Sequence, residues 1–263
     1  MLRKLQTFIL KASCRVLIPN SQLSELVELE AKRKLGKLGG GESIALEVKT
    51  AANFLTHLLG EGDFVFFDVG ANVGNYSFEF MKLFPNVKVV AFEPGKAAHE
   101  TLQNRFSGKT KVILENSALG SSIGNAELFF DLEGSGLASL TKRNLDHIAV
   151  AFKKSEVINI TTAENWIETN QMSPSFVKID VEGHELDVLK GFGNYLSGIP
   201  LIQFEFGGCN IDTQTFFKDF WILLSPHFDL YRIAPHGAIR ISNYSENEES
   251  FMTSNILAVN KSE

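Results

Sequence analysis

The chain has only two cysteines in 263 residues, Cys14 and Cys209. They lie far apart and form no metal-ligand or redox spacing, so they suggest neither a zinc site nor a disulfide framework, and a reducing, cytoplasmic setting is the expectation. Long apolar runs are missing too: none reaches the 18 residues expected of a membrane-spanning helix. Nor is there a basic excess. Twenty-five Lys and Arg face 31 Asp and Glu for a formal charge of −6, which argues against a general nucleic-acid binder. What is present is 44% apolar residues, enough for one enzyme-sized core without internal repeats or low-complexity blocks.

Arg3 and Lys4 precede Leu5, Phe8, Ile9 and Leu10, but Lys11 and Arg15 interrupt the apolar stretch too early for a signal peptide. The segment is basic and amphipathic. It is suited to peripheral contact with an anionic membrane or to packing as a helix on the domain behind it, and packing is the preferred reading. A second helical stretch, 21–37, carries Leu23, Leu26, Val27 and Leu29 and ends before Gly39, Gly40 and Gly41, a flexible break. The expected organisation is an N-terminal helical arm over 1–41, which could also mediate a homodimer, and a single domain over 42–263.

Beyond the break, short β-rich runs alternate with helical stretches, the rhythm of a parallel sheet. Strands are expected at 64–67, 87–92, 111–114, 176–179 and 201–206. Tyr76, Phe80 and Phe84 recur every four residues, so they are expected to pack on the sheet rather than stack on a ligand. The runs 126–130 and 157–160 read as an added hairpin-like pair around a Gly- and Ser-containing loop at 133–143. The runs 228–233 and 255–259 should finish the sheet, one of them antiparallel.

Three segments carry chemistry. Asp68-Val69-Gly70-Ala71-Asn72-Val73-Gly74-Asn75 lies between the first strand and first helix, where open α/β sheets bind ligands and glycines let a ligand approach backbone amides. Its Gly-x-x-x-Gly spacing is not that of a nicotinamide dinucleotide site, and Asp68 would repel a pyrophosphate. A carboxylate here suits a ligand with a cationic amino-acid end, such as S-adenosylmethionine. Glu93, ahead of Pro94, follows Asp68 by 93 − 68 = 25 residues, the length of one strand-helix-strand unit. It is placed to accept hydrogen bonds from both ribose hydroxyls of an adenosyl group. Glu115 and Asn116 close the third strand where an adenine edge would lie, followed by Ser117 and Ala118, and Asn116 and Ser117 are the candidate contacts there.

The third segment, Phe176-Val177-Lys178-Ile179-Asp180-Val181-Glu182-Gly183-His184-Glu185-Leu186, runs from a strand through an acidic turn into a helix. With Asp68–Gly74, Phe92-Glu93-Pro94, Leu189-Lys190-Gly191, Pro200–Glu205 and the terminal Tyr231-Arg232-Ile233 and Thr253–Ala258 segments, it makes the chain resemble the FkbM family of S-adenosylmethionine-dependent methyltransferases over about 63–259. The resemblance implies a Rossmann-like class I methyltransferase, α/β with a mostly parallel seven-stranded sheet and helices on both faces. It also implies transfer of a methyl group to a hydroxyl, typically on a sugar, glycoconjugate or polyketide-like metabolite. One departure is Thr162-Ala163-Glu164, where the family often has Thr-Leu-Asp.

Methyl transfer to an alcohol needs an in-line acceptor and a base for its proton. The candidates are Asp180, Glu182, His184 and Glu205. Asp180 and Glu182 would orient acceptor or cofactor, Asp180 contributing to both sites, and His184 is a candidate base. Glu205 reads alternatively as a strand-end carboxylate satisfied by backbone amides or Lys178, and Glu185 and Asp187 as favouring the start of their helix. No metal is expected. The loop at 133–143 is suited to order over the acceptor and exclude water. Two other readings carry less: a protein or nucleic-acid acceptor, disfavoured by the acidic balance and the lack of an Asn-Pro-Pro-Tyr-like motif, and an inactive binding protein, disfavoured by intact Asp68, Gly70, Gly74 and Glu93.

Overall fold

The computed structural model describes residues 21–38, 43–60 and 62–261. The basic segment at 3–15, Cys14 and the triple glycine lie outside them. In chain order the elements are α1 (Ser21–Lys34), α2 (Ile44–Leu59), β1 (Val65–Val69), α3 (Asn75–Leu83), β2 (Lys88–Phe92), α4 (Lys96–Arg105), β3 (Val112–Glu115), β4 (Ala118–Leu119), β5 (Gly124–Phe130) and β6 (Lys154–Thr161). Then follow α5 (Ala163–Asn170), β7 (Phe176–Ile179), α6 (Glu185–Lys190), β8 (Leu201–Phe206), α7 (Cys209–Thr213), α8 (Phe217–Leu224), β9 (Phe228–Ala234), β10 (Gly237–Ile241) and β11 (Ser254–Asn260).

The main sheet runs β10-β9-β11-β8-β7-β1-β2-β3. From β3 through β8 every pairing is parallel, and β11 lies antiparallel between β8 and β9. These seven strands form the expected sheet. The eighth, β10, is not among the expected strands. Pro235 and His236 turn the chain back on itself, and β10 pairs antiparallel with β9 at the edge. The runs around 126–130 and 157–160 pair antiparallel as β5 and β6 and, with β4, form a separate three-stranded sheet.

Strand β1 shows how the sequence builds two layers at once. Its side chains alternate between faces, and Phe66 enters one buried cluster with α2, α3 and α4 while Phe67 enters the other with α5, α6 and α8. Phe66 lies between Phe80 and Phe176, with ring centroids 4.7 and 4.9 Å away. Tyr76 and Phe80 are buried against the sheet, as their spacing predicts. The strand is also two residues further on than expected, so Asp68 is part of it.

No residue of α1 is buried, and Leu26 is 63% exposed. Its last turn does meet the domain: Arg232 Nη1 donates to Leu35 O at 3.1 Å, and Gly36 (φ +66°) lies so near β9 that a Cβ would sit 2.4 Å from Ile233 O. No helix among the described residues is long and apolar enough to cross a membrane.

Candidate active site

The parallel strands point their carboxyl ends to one edge, and there the acidic and glycine motifs meet. Gly70 N and Ala71 N both donate to Phe92 O at 3.0 Å, fastening the turn after β1 to the end of β2. Gly70 has φ +79°, and a Cβ on it would lie 1.9 Å from Asp180 O. Only glycine fits where the first turn crosses the acidic turn after β7. Gly74, also at φ +79°, lets α3 start against the Phe106 and Leu102 side chains.

Glu93 is buried, and both its oxygens are held. Oε2 accepts from Asn72 N at 2.8 Å, and Oε1 from Gly95 N at 2.8 Å. Burial lifts the carboxyl to about 7, against these two amides, which lower it. Glu93, Pro94, Leu119, Leu128, Val181 and His184 are among the residues lining a cleft of about 620 Å³, its open mouth included. An adjoining cleft of about 720 Å³ shares Gly70, Asn72, Asp180 and Glu182 and adds Asn75, Lys178, Glu205 and Asn255. The scale suits a cofactor and a small acceptor side by side. The pairing of an anchored acidic group at the end of β2 with a glycine turn that brings the backbone close fits an adenosyl ligand.

Not every residue singled out from sequence faces these clefts. Asp68 is fully buried behind the turn, where its Oδ2 accepts from Ser77 Oγ at 2.6 Å and its Oδ1 has no partner. Burial raises its carboxyl, opposed by Lys178. Asn116 is exposed and donates to Glu93 O and Pro94 O, both at 3.0 Å. It braces the end of β2, and Ala118 and Leu119 line the cleft where Asn116 and Ser117 were expected. Asn75 opens α3 and accepts from Arg105 at 2.6 Å.

Asp180, Glu182 and Glu205 converge: one oxygen of each lies within 4.8 Å of the others. Three carboxylates so close repel one another and need shared protons or a cation, in keeping with the reading of these residues as a cluster at the carboxyl edge of the sheet. Lys178 Nζ donates to Asp180 Oδ2 at 2.9 Å, so the lysine serves Asp180 and not Glu205. Its ammonium is raised because Asp180 and Asp68 outweigh its burial, the largest single influence. Among the described residues no hydrogen bond to the Glu205 carboxylate is found, and burial followed by its acidic neighbours pushes it well above the usual carboxylate range. Burial likewise lifts Glu182 to about 7, with Asp180 adding to it and Arg143 opposing.

The segment around 133–143 is pinned across this edge. Ser139 Oγ donates to Glu182 O at 2.8 Å, and Arg143 bridges Glu182 Oε2 at 2.6 Å and Asp212 Oδ2 at 3.1 Å. Glu182 and Gly183 both have positive φ, +55° and +108°. This tight turn leaves amides that Glu185 caps, accepting from Val181 N at 3.0 Å and Gly183 N at 3.1 Å. Glu185 is therefore structural. His184 Nε2 lies 3.0 Å from Thr141 Oγ1, and His184 Nδ1 lies 3.2 Å from Asp187 Oδ2. Sequence reasoning named Arg143 only as the end of the loop over the acceptor and gave no role to Thr141 or Asp187 in the site itself. The first two sit on a long connection with no periodic signal, and the third looked like helix electrostatics. Glu164 caps elsewhere, holding Asn194.

Residues 68–230 match the family model described as the methyltransferase FkbM domain. The chain is 32% identical over 147 residues to the hexuronic acid methyltransferase AglP of Haloferax volcanii, covering 55% of this chain. It thus spans about half (56%) of that curated relative's length. Among solved structures, the plantazolicin methyltransferase BpumL in complex with SAH aligns over 90% of this chain and 98% of its own, at 11% identity and TM-score 0.44. The precorrin-6y C5,15-methyltransferase from Geobacter metallireducens aligns over 80% and 87%, at 13% identity and TM-score 0.41.

Proposed function

Because the chain belongs to the FkbM methyltransferase family, we propose that it uses S-adenosylmethionine to methylate a hydroxyl of a sugar, glycoconjugate or polyketide-like metabolite. The observation that carries this reading is Glu93, anchored by two backbone amides in the wall of a cleft that the turn after β7, with Asp180, Val181, Glu182 and His184, also lines. A carboxylate held in that way is oriented before any ligand arrives, so little is lost in ordering it. The 32% identity to a hexuronic acid methyltransferase supports a sugar acceptor. On this reading the catalytic domain occupies 42–263, with 1–41 as an arm.

Bound in the cleft, S-adenosylmethionine supplies an electrophilic methyl group on a sulfonium leaving group. Glu93 accepts from the ribose hydroxyls. Gly70, Asn72, Gly74 and Asn75 shape the turn beside them, Pro94 contributes a wall, and Asp68 supports the turn from behind. Asp180, Glu182 and Glu205 present oxygens to the acceptor or the cationic end of the cofactor, and a cation between two carboxylates relieves their repulsion. His184 stands at the cleft as the base. The pinned segment over 139–143 excludes water.

Calorimetric titration with S-adenosylmethionine and S-adenosylhomocysteine tests the cofactor, with Glu93→Ala beside the native protein. Saturable one-to-one binding, weakened in the variant, is expected. A radiolabelled methyl-transfer screen over uronic acids, neutral hexoses, a protein and an RNA then tests the acceptor. A well-folded protein that binds neither ligand overturns the reading, and turnover confined to the protein or RNA overturns the acceptor class.

A further inference from the structure

Each of the four candidate bases has a different set of neighbours, and only one set suits proton removal. Asp180 Oδ2 is engaged by Lys178 at 2.9 Å and Glu182 Oε2 by Arg143 at 2.6 Å. Each has an oxygen held by a fixed cation, which ties up the lone pairs it would offer to a hydroxyl proton. Among the described residues Glu205 has no donor that orients it. His184 has a partner on each ring nitrogen: a carboxylate oxygen 3.2 Å from Nδ1 and a hydroxyl oxygen 3.0 Å from Nε2.

A carboxylate can only accept, so Nδ1 carries a proton. In the neutral ring Nε2 is then a bare lone pair, and the group facing it, Thr141, is an alcohol. Asp187 reaches Nδ1 from one turn along α6, at i+3. Its carboxyl is lowered chiefly by the hydrogen bond to His184. His184 lines the same cleft as Glu93, Asp180 and Glu182.

We propose that Asp187 is the positioning residue for methyl transfer, fixing His184 with its proton on Nδ1 so that Nε2 receives the proton of an acceptor hydroxyl that replaces Thr141 Oγ1. The inference rests on the proposed function and assigns its base. The acceptor oxygen forms its bond to the methyl carbon as the carbon–sulfur bond breaks. That electron pair stays on sulfur, and the hydroxyl proton passes to Nε2. The resulting imidazolium sits against the Asp187 carboxylate until it releases the proton to water. An orienting carboxylate of this kind acts on the rate of the chemical step and not on ground-state affinity.

The test combines ¹⁵N NMR of the full chain with kinetics on methyl glucuronide, using Asp187→Ala, Asp187→Glu and His184→Gln. Asp187 is 44% exposed on a helix surface, so these changes at 187 preserve the fold. In the native protein the His184 ring is expected as the Nδ1–H tautomer, becoming a mixture in Asp187→Ala. That variant should lose at least tenfold in kcat with KM within about twofold, Asp187→Glu should restore most of it, and His184→Gln should lose on the order of 10²-fold. A native ring protonated on Nε2, or a kcat in Asp187→Ala equal to the native one, overturns the proposal. If methyl glucuronide is not methylated although S-adenosylhomocysteine binds, the proposed acceptor fails while the ring tautomer still decides the role of Asp187.

Discussion

Asn72 donates its backbone amide to Glu93 Oε2 at 2.8 Å, which ties the glycine turn after β1 to the carboxylate that ends β2. The two sides of the cleft are thereby one unit, and Asn72 holds a left-handed conformation (φ +48°) to make the bond. Anything that alters the charge of Glu93 reaches the turn as well.

Titration of Glu93 has a defined sign. Its carboxyl stands at about 7 when folded against 4.5 when unfolded, so from pH 4.5 to 7 the folded state holds a proton that the unfolded state has released. This group's contribution to stability falls as pH rises through that window. Glu93→Gln should remove that dependence, so the fall in Tm between pH 5.5 and pH 8 is smaller in the variant, read by differential scanning calorimetry. Affinity for S-adenosylhomocysteine should rise through about pH 7 in the native protein and stay flat in Glu93→Gln. At pH 8 the variant should bind about 1–3 kcal/mol more weakly.

Two glycines with similar φ should respond very differently. Gly60→Ala meets no atom within 4 Å, but at φ +69°, ψ −157° it lies in a region essentially reserved for glycine and should cost about 1–3 kcal/mol for the backbone alone. Gly70→Ala adds a collision with Asp180 O at 1.9 Å. It should lower Tm considerably further and abolish S-adenosylhomocysteine binding, as measured by thermal shift with and without ligand.

Arg143→Met should destabilise the protein on the order of 2 kcal/mol at pH 8, by leaving Glu182 without its cation in a mostly buried site. Glu182 titrates near 7. Below that pH it is protonated and the pair contributes little, so the penalty should shrink toward pH 5.5. Urea denaturation of both proteins at the two pH values measures the difference.

Cys209 is buried, and burial followed by Glu185 and Glu182 pushes its thiol far up. In a Cys14→Ser background the native protein should not react with a thiol reagent at pH 8 over minutes, and should react at once in denaturant.

Much of the site was legible as local pattern. Glycines at 70 and 74, an acidic residue 25 positions after Asp68 and an acidic strand-to-helix turn each mark a backbone event that depends on neighbours in sequence. The roles of Asp68 and Asn116 were less legible. Extending β1 by two residues draws Asp68 below the surface of the turn, and Asn116 spends its amide on two backbone carbonyls. Neither outcome follows from residue type, because both depend on which face of a strand end meets the neighbouring strand.

The sequence by itself determined the alternation of strands and helices, the two faces of β1 and the positions of the ligand-facing turns, since periodicity and glycine placement are properties of a local segment. Only the tertiary structure decided how closely Glu205, from β8, approaches Asp180 and Glu182, that Lys178 is taken by Asp180, and that a loop more than 40 residues upstream delivers Thr141 to His184. Such contacts arise from the crossover order of the sheet and from competition among charges for few partners in a low-dielectric cleft.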